Sequence, residues 1–95
     1  MTLKERLLAD LDAATKAQDK VRIDTIRMVH LRIQGAEMRA KRALGDAELA
    51  EVVGRCGQQL RESIVQLGQA GRPTQPAEAA LKILGDYLPQ QRTNA

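Results

Sequence analysis

The sequence has few of the residue types that build sheets and catalytic centres. Its 95 residues include no Phe or Trp, one Tyr, one Cys and one His. A hydrophobic core must therefore be built from Leu, Ile, Val, Ala and Met. Fourteen alanines and few β-branched residues favour helices over strands. The length allows one small domain.

Two further absences concern the compartment. A single cysteine excludes an internal disulfide, as is typical of proteins in the reducing cytoplasm. Residues 1–5 lack the apolar segment of a secretory signal, and no apolar run approaches the ~18 residues of a membrane span. We therefore expect a cytoplasmic protein with no membrane contact.

Positive charge is concentrated in one part of the chain. The whole sequence carries a formal net charge of +3. Residues 19–42 alone hold seven Lys/Arg against three Asp/Glu, a net of +4. The rest of the chain is therefore slightly acidic. A basic segment of this kind is typical of a surface that meets an acidic partner such as nucleic acid.

Hydrophobic periodicity predicts an all-α fold, a four-helix bundle-like domain with a long central antiparallel hairpin. The predicted helices span about 3–17, 20–43, 47–70 and 76–88. The second and third helices form the hairpin, and the shorter outer helices pack on it. We expect the domain to cover residues 1–91, followed by a polar tail at 92–95.

Local signals set the expected helix ends. Thr2 begins a capping-box pattern, and Asp19 and Asp46 are suited to cap the second and third helices. Gly45 is the expected left-handed stop of the second helix, and Pro89 is expected to end the fourth.

The second helix carries apolar residues on two sides. One stripe contains Ile26, Val29, Ile33, Ala36 and Ala40. The second stripe contains Met28, Leu31, Gly35 and Met38. A helix that is apolar on two faces usually has neighbours on both. We therefore expect both faces to be covered in the bundle.

No arrangement of residues indicates catalysis. His30 is the only histidine, so no zinc pair is available, and no metal-binding spacing or glycine-rich phosphate loop occurs. Cys56 falls on the apolar stripe of the third helix, where a thiol behaves as a small hydrophobe. We expect no catalytic residues, no metal site and no cofactor.

The cations of the second helix are the better candidates for a binding site. At about 100° per residue they fall within an arc of about 140°. They are Lys20, Arg27, Arg32, Arg39 and Arg42. This arc is either a solvated basic face or a phosphate-binding surface. Aromatic residues are missing, so shape recognition of a structured RNA fits better than base stacking.

The same arc includes apolar side chains. They are Met28, Leu31 and Met38. Methionine-rich surfaces suit adaptable protein contacts. An alternative hypothesis is therefore a protein-interaction module, without nucleic acid, whose partner is another protein or a second copy of the chain.

Three segments, taken together, resemble the YqeY-like family. Residues 19–28 read DKVRIDTIRM and are similar to a DKVR-x-x-TIRM signature. Residues 60–64 and 69–72 read LRESI and QAGR, similar to RRESI…AGR, and residues 87–91 read YLPQQ. The ordered matches cover nearly the whole chain.

This resemblance implies an all-helical module related to the C-terminal region of the GatB subunit of the tRNA-dependent amidotransferase. In that enzyme the module helps recognise tRNA while other parts perform the amidation. Family members accordingly carry a label for carbon–nitrogen ligase activity with glutamine as nitrogen donor. The resemblance thus implies a non-catalytic accessory module that associates with tRNA or another structured RNA.

The sequence departs from the family pattern in two places. Leu60 replaces the first of the paired arginines. Family members usually continue after YLP into a second helical subdomain, the part most associated with tRNA, whereas this sequence stops at Ala95. We therefore expect the N-terminal helical part of the family, either as a short member or as a fragment.

Overall fold

Residues 2–88 of the protein fold into four α-helices. The computed structural model describes residues 2–88, which contain no strand. The helices are α1 (Leu3–Ala17), α2 (Lys20–Ala40), α3 (Asp46–Gln69) and α4 (Gln75–Leu84). The predicted all-α bundle is confirmed. Among the described residues, no helix combines the length and apolarity needed to cross a membrane.

The first two helices begin at the predicted caps. The Thr2 hydroxyl accepts a hydrogen bond from the Glu5 N–H at 3.1 Å, and the Glu5 carboxylate accepts one from the Thr2 N–H at 2.9 Å. Asp19 accepts a hydrogen bond from the Arg22 N–H at 3.2 Å. These bonds satisfy amide donors that have no partner within the helix.

The junction between α2 and α3 differs from the prediction. α2 ends at Ala40 because Lys41 adopts a left-handed conformation, with φ 59°. Gly45 is extended, with φ −78° and ψ 172°, and caps α3 itself. The expectations that Gly45 is a left-handed stop and that Asp46 is the cap are therefore wrong. The chain turns early because the Glu37 carboxylate accepts the Leu44 N–H at 2.9 Å.

The last helix is also shorter than predicted. α4 ends at Leu84, and residues 85–87 form a turn in which the Tyr87 N–H donates to the Leu84 carbonyl at 2.9 Å. The predicted stop at Pro89 and the polar tail at 92–95 lie outside the described residues.

One hydrophobic core joins all four helices and the turn after α4. α2 is in contact with each of the other three helices. The buried members of the core are Leu7, Ile26, Val29, Ile33, Leu49, Val53, Cys56, Leu84 and Tyr87. The core thus uses one stripe from each long helix, as the periodicity indicated.

α2 buries only one of its two apolar faces. Ile26, Val29 and Ile33 are fully buried, whereas Leu31 is 65% exposed and Met38 is 78% exposed. Met28 and Gly35, on the same second stripe, are half-buried, and Met28 packs against the core. The expectation that both faces are covered is therefore wrong for the part of the second face that carries Leu31 and Met38.

A cluster of polar side chains connects the turn after α4 to α1. The Tyr87 hydroxyl donates a hydrogen bond to the Asp10 carboxylate, and the Arg6 guanidinium lies 5.1 Å from the Tyr87 ring centroid. Arg6 also donates to the Asp86 carbonyl at 3.1 Å. Burial, followed by the Asp10 carboxylate, raises the pKa of Tyr87. We call Arg6, Asp10 and Tyr87 the Tyr87 cluster.

We predict that Tyr87→Phe lowers the free energy of unfolding by about 1–2 kcal/mol, because it removes a hydrogen bond to a charged group while keeping the buried ring. Urea denaturation followed by circular dichroism measures this. Asp10→Asn retains an oxygen acceptor and should cost less. Equal stability of Tyr87→Phe and the parent chain would show that the hydroxyl contributes nothing.

Candidate nucleic-acid and partner interface

Three of the predicted arginines lie exposed on the outward side of α2. Arg27, Arg32 and Arg39 project from consecutive parts of the helix. Within residues 2–88, none of the three forms an ion pair. Their charges are therefore available to an anionic partner.

Lys20 occupies the first turn of the same helix. Its ammonium group lies 3.5 Å from the Asp24 carboxylate, and both side chains are largely exposed. An exposed i,i+4 pair of this kind contributes little to stability and exchanges readily. Lys20 thus adds a partly neutralised charge to the three arginines.

Arg42 is not part of this helical arc. α2 ends before it, and its guanidinium donates to both oxygens of Glu48, at 2.8 and 2.6 Å. Its expected place on the second helix is therefore wrong. A bidentate pair of this geometry holds the guanidinium in one orientation. Arg42 closes the connection between α2 and α3.

Two carboxylates organise that connection. Glu37 accepts hydrogen bonds from the Lys4 ammonium and from the Leu44 N–H. These bonds, led by the one from Lys4, lower the pKa of Glu37. Glu48 accepts from Arg42 and from the Gly45 N–H, and these bonds lower its pKa to about 2. The Glu48 carboxylate in turn raises the pKa of Arg42.

The predicted partner-interface residues are divided between the core and the surface. Met28 is half-buried and packs against the core, whereas Leu31 and Met38 extend into solvent. The two exposed side chains lie among the arginines of the outward side. This surface is therefore both apolar and cationic.

The remaining reactive residues are poorly placed for catalysis. Cys56 is buried, and burial raises the pKa of its thiol, which disfavours the reactive thiolate. His30 is half-buried on α2. Among the described residues, no three His, Cys, Asp or Glu side chains come together as metal ligands.

The sequence predictions did not include the Tyr87 cluster or the Lys4–Glu37 pair. One signal was available, because Asp10 lies one turn from both Leu7 and Ala14, at the edge of the buried stripe of α1. A carboxylate at such an edge needs a donor from a neighbouring element. The identity of that donor depends on where the turn after α4 lies, and helical periodicity does not specify this.

The comparison with protein families identifies a relationship that spans most of the chain. A family model described as Yqey-like protein matches residues 4–95. No curated protein matches the sequence. The matched range includes α2, its exposed arginines and the Tyr87 cluster.

We predict that the Glu48 contacts stabilise the protein most above pH 4.5 and progressively less as the pH falls toward about 2. The folded pKa lies below the ordinary value of 4.5, so the unfolded chain takes up the proton first. Thermal unfolding at several pH values measures the effect. Glu48→Gln should lower the midpoint near neutral pH and reduce the loss of stability on acidification.

Glu51→Gln is the matched control, since Glu51 is exposed on the same helix and forms no ion pair within residues 2–88. It should keep the pH dependence of the parent chain. An acid transition that is identical in the parent and in Glu48→Gln would contradict the assignment.

Proposed function

This chain belongs to the YqeY-like family, and from that membership we propose that it is a non-catalytic accessory module that binds tRNA or another structured RNA. The observation that carries the proposal is the exposed set of Arg27, Arg32 and Arg39 on one side of α2, without ion pairs within residues 2–88.

The spacing of the arginines suits a phosphate backbone. From Arg27 to Arg39 the helix rises about 18 Å, which allows contact with several phosphates. Guanidinium groups bind phosphate oxygens through paired hydrogen bonds. The chain has one Tyr, which is buried, and no Phe or Trp, so stacking on unpaired bases is not supported. The surface therefore suits the shape and backbone of a folded RNA.

The resemblance to the GatB region supports an association with glutamine-dependent amidotransferase chemistry performed by other proteins. The buried thiol of Cys56, with its raised pKa, is a poor nucleophile, which argues against glutamine hydrolysis by this chain. We place the module in the cytoplasm, since a reducing compartment preserves such a free thiol.

A second candidate function is a protein-interaction module without nucleic acid. It is favoured by Leu31 and Met38, which are 65% and 78% exposed among the arginines. Phosphate binding does not explain why two large apolar side chains are exposed on one helix face. Contact with an apolar surface of another protein explains their exposure.

We predict that the double variant Arg27→Glu/Arg39→Glu binds tRNA at least about tenfold more weakly at low ionic strength, because two cations become anions at the phosphate surface. Fluorescence anisotropy with labelled tRNA measures this. The parent chain should also show a steep fall in affinity with salt, and the double variant a shallower one.

Arg61→Glu/Arg72→Glu is the matched control. It has the same net charge, and both of its exposed side chains lie outside α2. It should retain most of the tRNA affinity. Undetectable tRNA binding by the parent chain at low salt, or an equal loss in both double variants, would contradict the RNA proposal. Undetectable binding would leave the protein-interaction candidate.

A further inference from the structure

The outward side of α2 carries a heptad pattern. Residues spaced alternately three and four apart form one line along the helix, at positions that correspond to a and d of a two-stranded coiled coil. We call this line the outward seam. It consists of Val21, Asp24, Met28, Leu31, Gly35 and Met38. Over residues 21–38 the seam is about 25 Å long, between two and three heptads.

Most of the large apolar side chains that are exposed among the described residues lie on the seam. Five large hydrophobic residues are exposed, and three of them are on the seam: Val21 at 44%, Leu31 at 65% and Met38 at 78%. The other two, Leu8 and Val65, stand on α1 and α3. Isolated exposed residues need no explanation, but an apolar line along one helix indicates a contact surface.

The positions beside the seam are cationic. In a coiled coil these e and g positions determine which helices pair. Within α2 they are occupied by Lys20, Thr25, Arg27, Arg32, Gln34 and Arg39. Thr25 is buried, so five of the six positions can face a partner. Four of these five are cations and none is acidic. The partner must therefore present negative charge on both sides of its own apolar stripe.

We propose that the outward seam is the docking site for one amphipathic helix of a partner protein, with acidic residues flanking its apolar stripe. This inference rests on the second candidate function and specifies its partner. Leu31 and Met38 pack into the apolar stripe, while Arg27, Arg32 and Arg39 pair with the acidic flanks. These contacts correspond to the pairing of two helices in a coiled coil.

The positive charges beside the outward seam disfavour pairing with a second copy of the chain. Two α2 helices paired through their seams would place arginines opposite arginines at the flanks, and like charges at these positions disfavour pairing. An acidic helix converts the same positions into attractive pairs. The charge pattern thus favours an acidic partner over a second copy of the chain.

Two seam residues add further recognition. A Cβ added at Gly35 would meet only the Arg39 guanidinium, at 3.6 Å, so the glycine leaves open space between Leu31 and Met38 that a partner side chain can enter. Asp24 is a polar seam position whose partner on α2 is Lys20, at 3.5 Å. A single polar seam residue favours one register over the others.

The test uses a synthetic peptide of about four heptads, with Leu at the seam positions and Glu at the flanking positions. Fluorescence anisotropy measures its binding to the full chain. We expect saturable binding, and binding at least about tenfold weaker for the same peptide with Lys at the flanks. Leu31→Ser/Met38→Ser should also weaken binding of the acidic peptide at least about tenfold.

Leu8→Ser/Val65→Ser is the matched control, because it removes two comparably exposed apolar side chains from other helices. It should bind the acidic peptide like the parent chain. No binding of the acidic peptide, equal effects of the two double variants, or self-association through the seam in sedimentation experiments would overturn the inference.

A parallel titration with tRNA separates this inference from the RNA proposal. Leu31→Ser/Met38→Ser removes no charge and should leave any tRNA affinity unchanged. Binding of tRNA without binding of the acidic peptide would overturn only the docking inference. Binding of the peptide without tRNA would support the inference and contradict only the RNA proposal.

Discussion

The structure depends on the burial of one stripe of α2. Ile26, Val29 and Ile33 are almost completely removed from water, and each of the other helices reaches α2. Burying three such side chains contributes about 5–9 kcal/mol, comparable to the whole stability of a small domain. Without α2, the other three helices would therefore have no common surface to pack against. The outward side of α2 faces solvent.

Polar contacts then determine where the helices stop. Glu37 and Glu48 each accept one side-chain cation and one backbone amide, at opposite ends of the connection between α2 and α3. The backbone donors of a tight connection need partners, and these carboxylates supply them. The charges of Lys4, Glu37, Arg42 and Glu48 thus shape the fold and do not remain for binding.

The sequence predicted the helices well and their ends less well. Periodicity identified the buried stripes of α2 and α3 because a helix repeats its environment every 3.6 residues. The early end of α2 at Ala40 was not predictable in the same way. It depends on Glu37 reaching Leu44, a contact between a side chain and a distant amide.

The candidate site was likewise predicted in part: helical periodicity predicted some of its features, and contacts between distant residues determined the others. The exposure of Arg27 and Arg39 on one side of α2 follows from helical geometry. Arg42 does not lie on that side, because α2 ends before it and its guanidinium pairs with Glu48. Burial of the second apolar face of α2 was also predicted, but the periodicity of one helix does not specify how many neighbours surround it.

The position of Tyr87 gives the protein a reporter of its own assembly. It is the only aromatic residue of the Phe, Tyr and Trp types in the chain, and it is buried where the turn after α4 meets α1. Near-ultraviolet circular dichroism, which requires a fixed aromatic environment, therefore reports on this one contact. Helical content measured in the far ultraviolet reports on the whole bundle. Comparing the two signals distinguishes detachment of the C-terminal turn from global unfolding, without any added label.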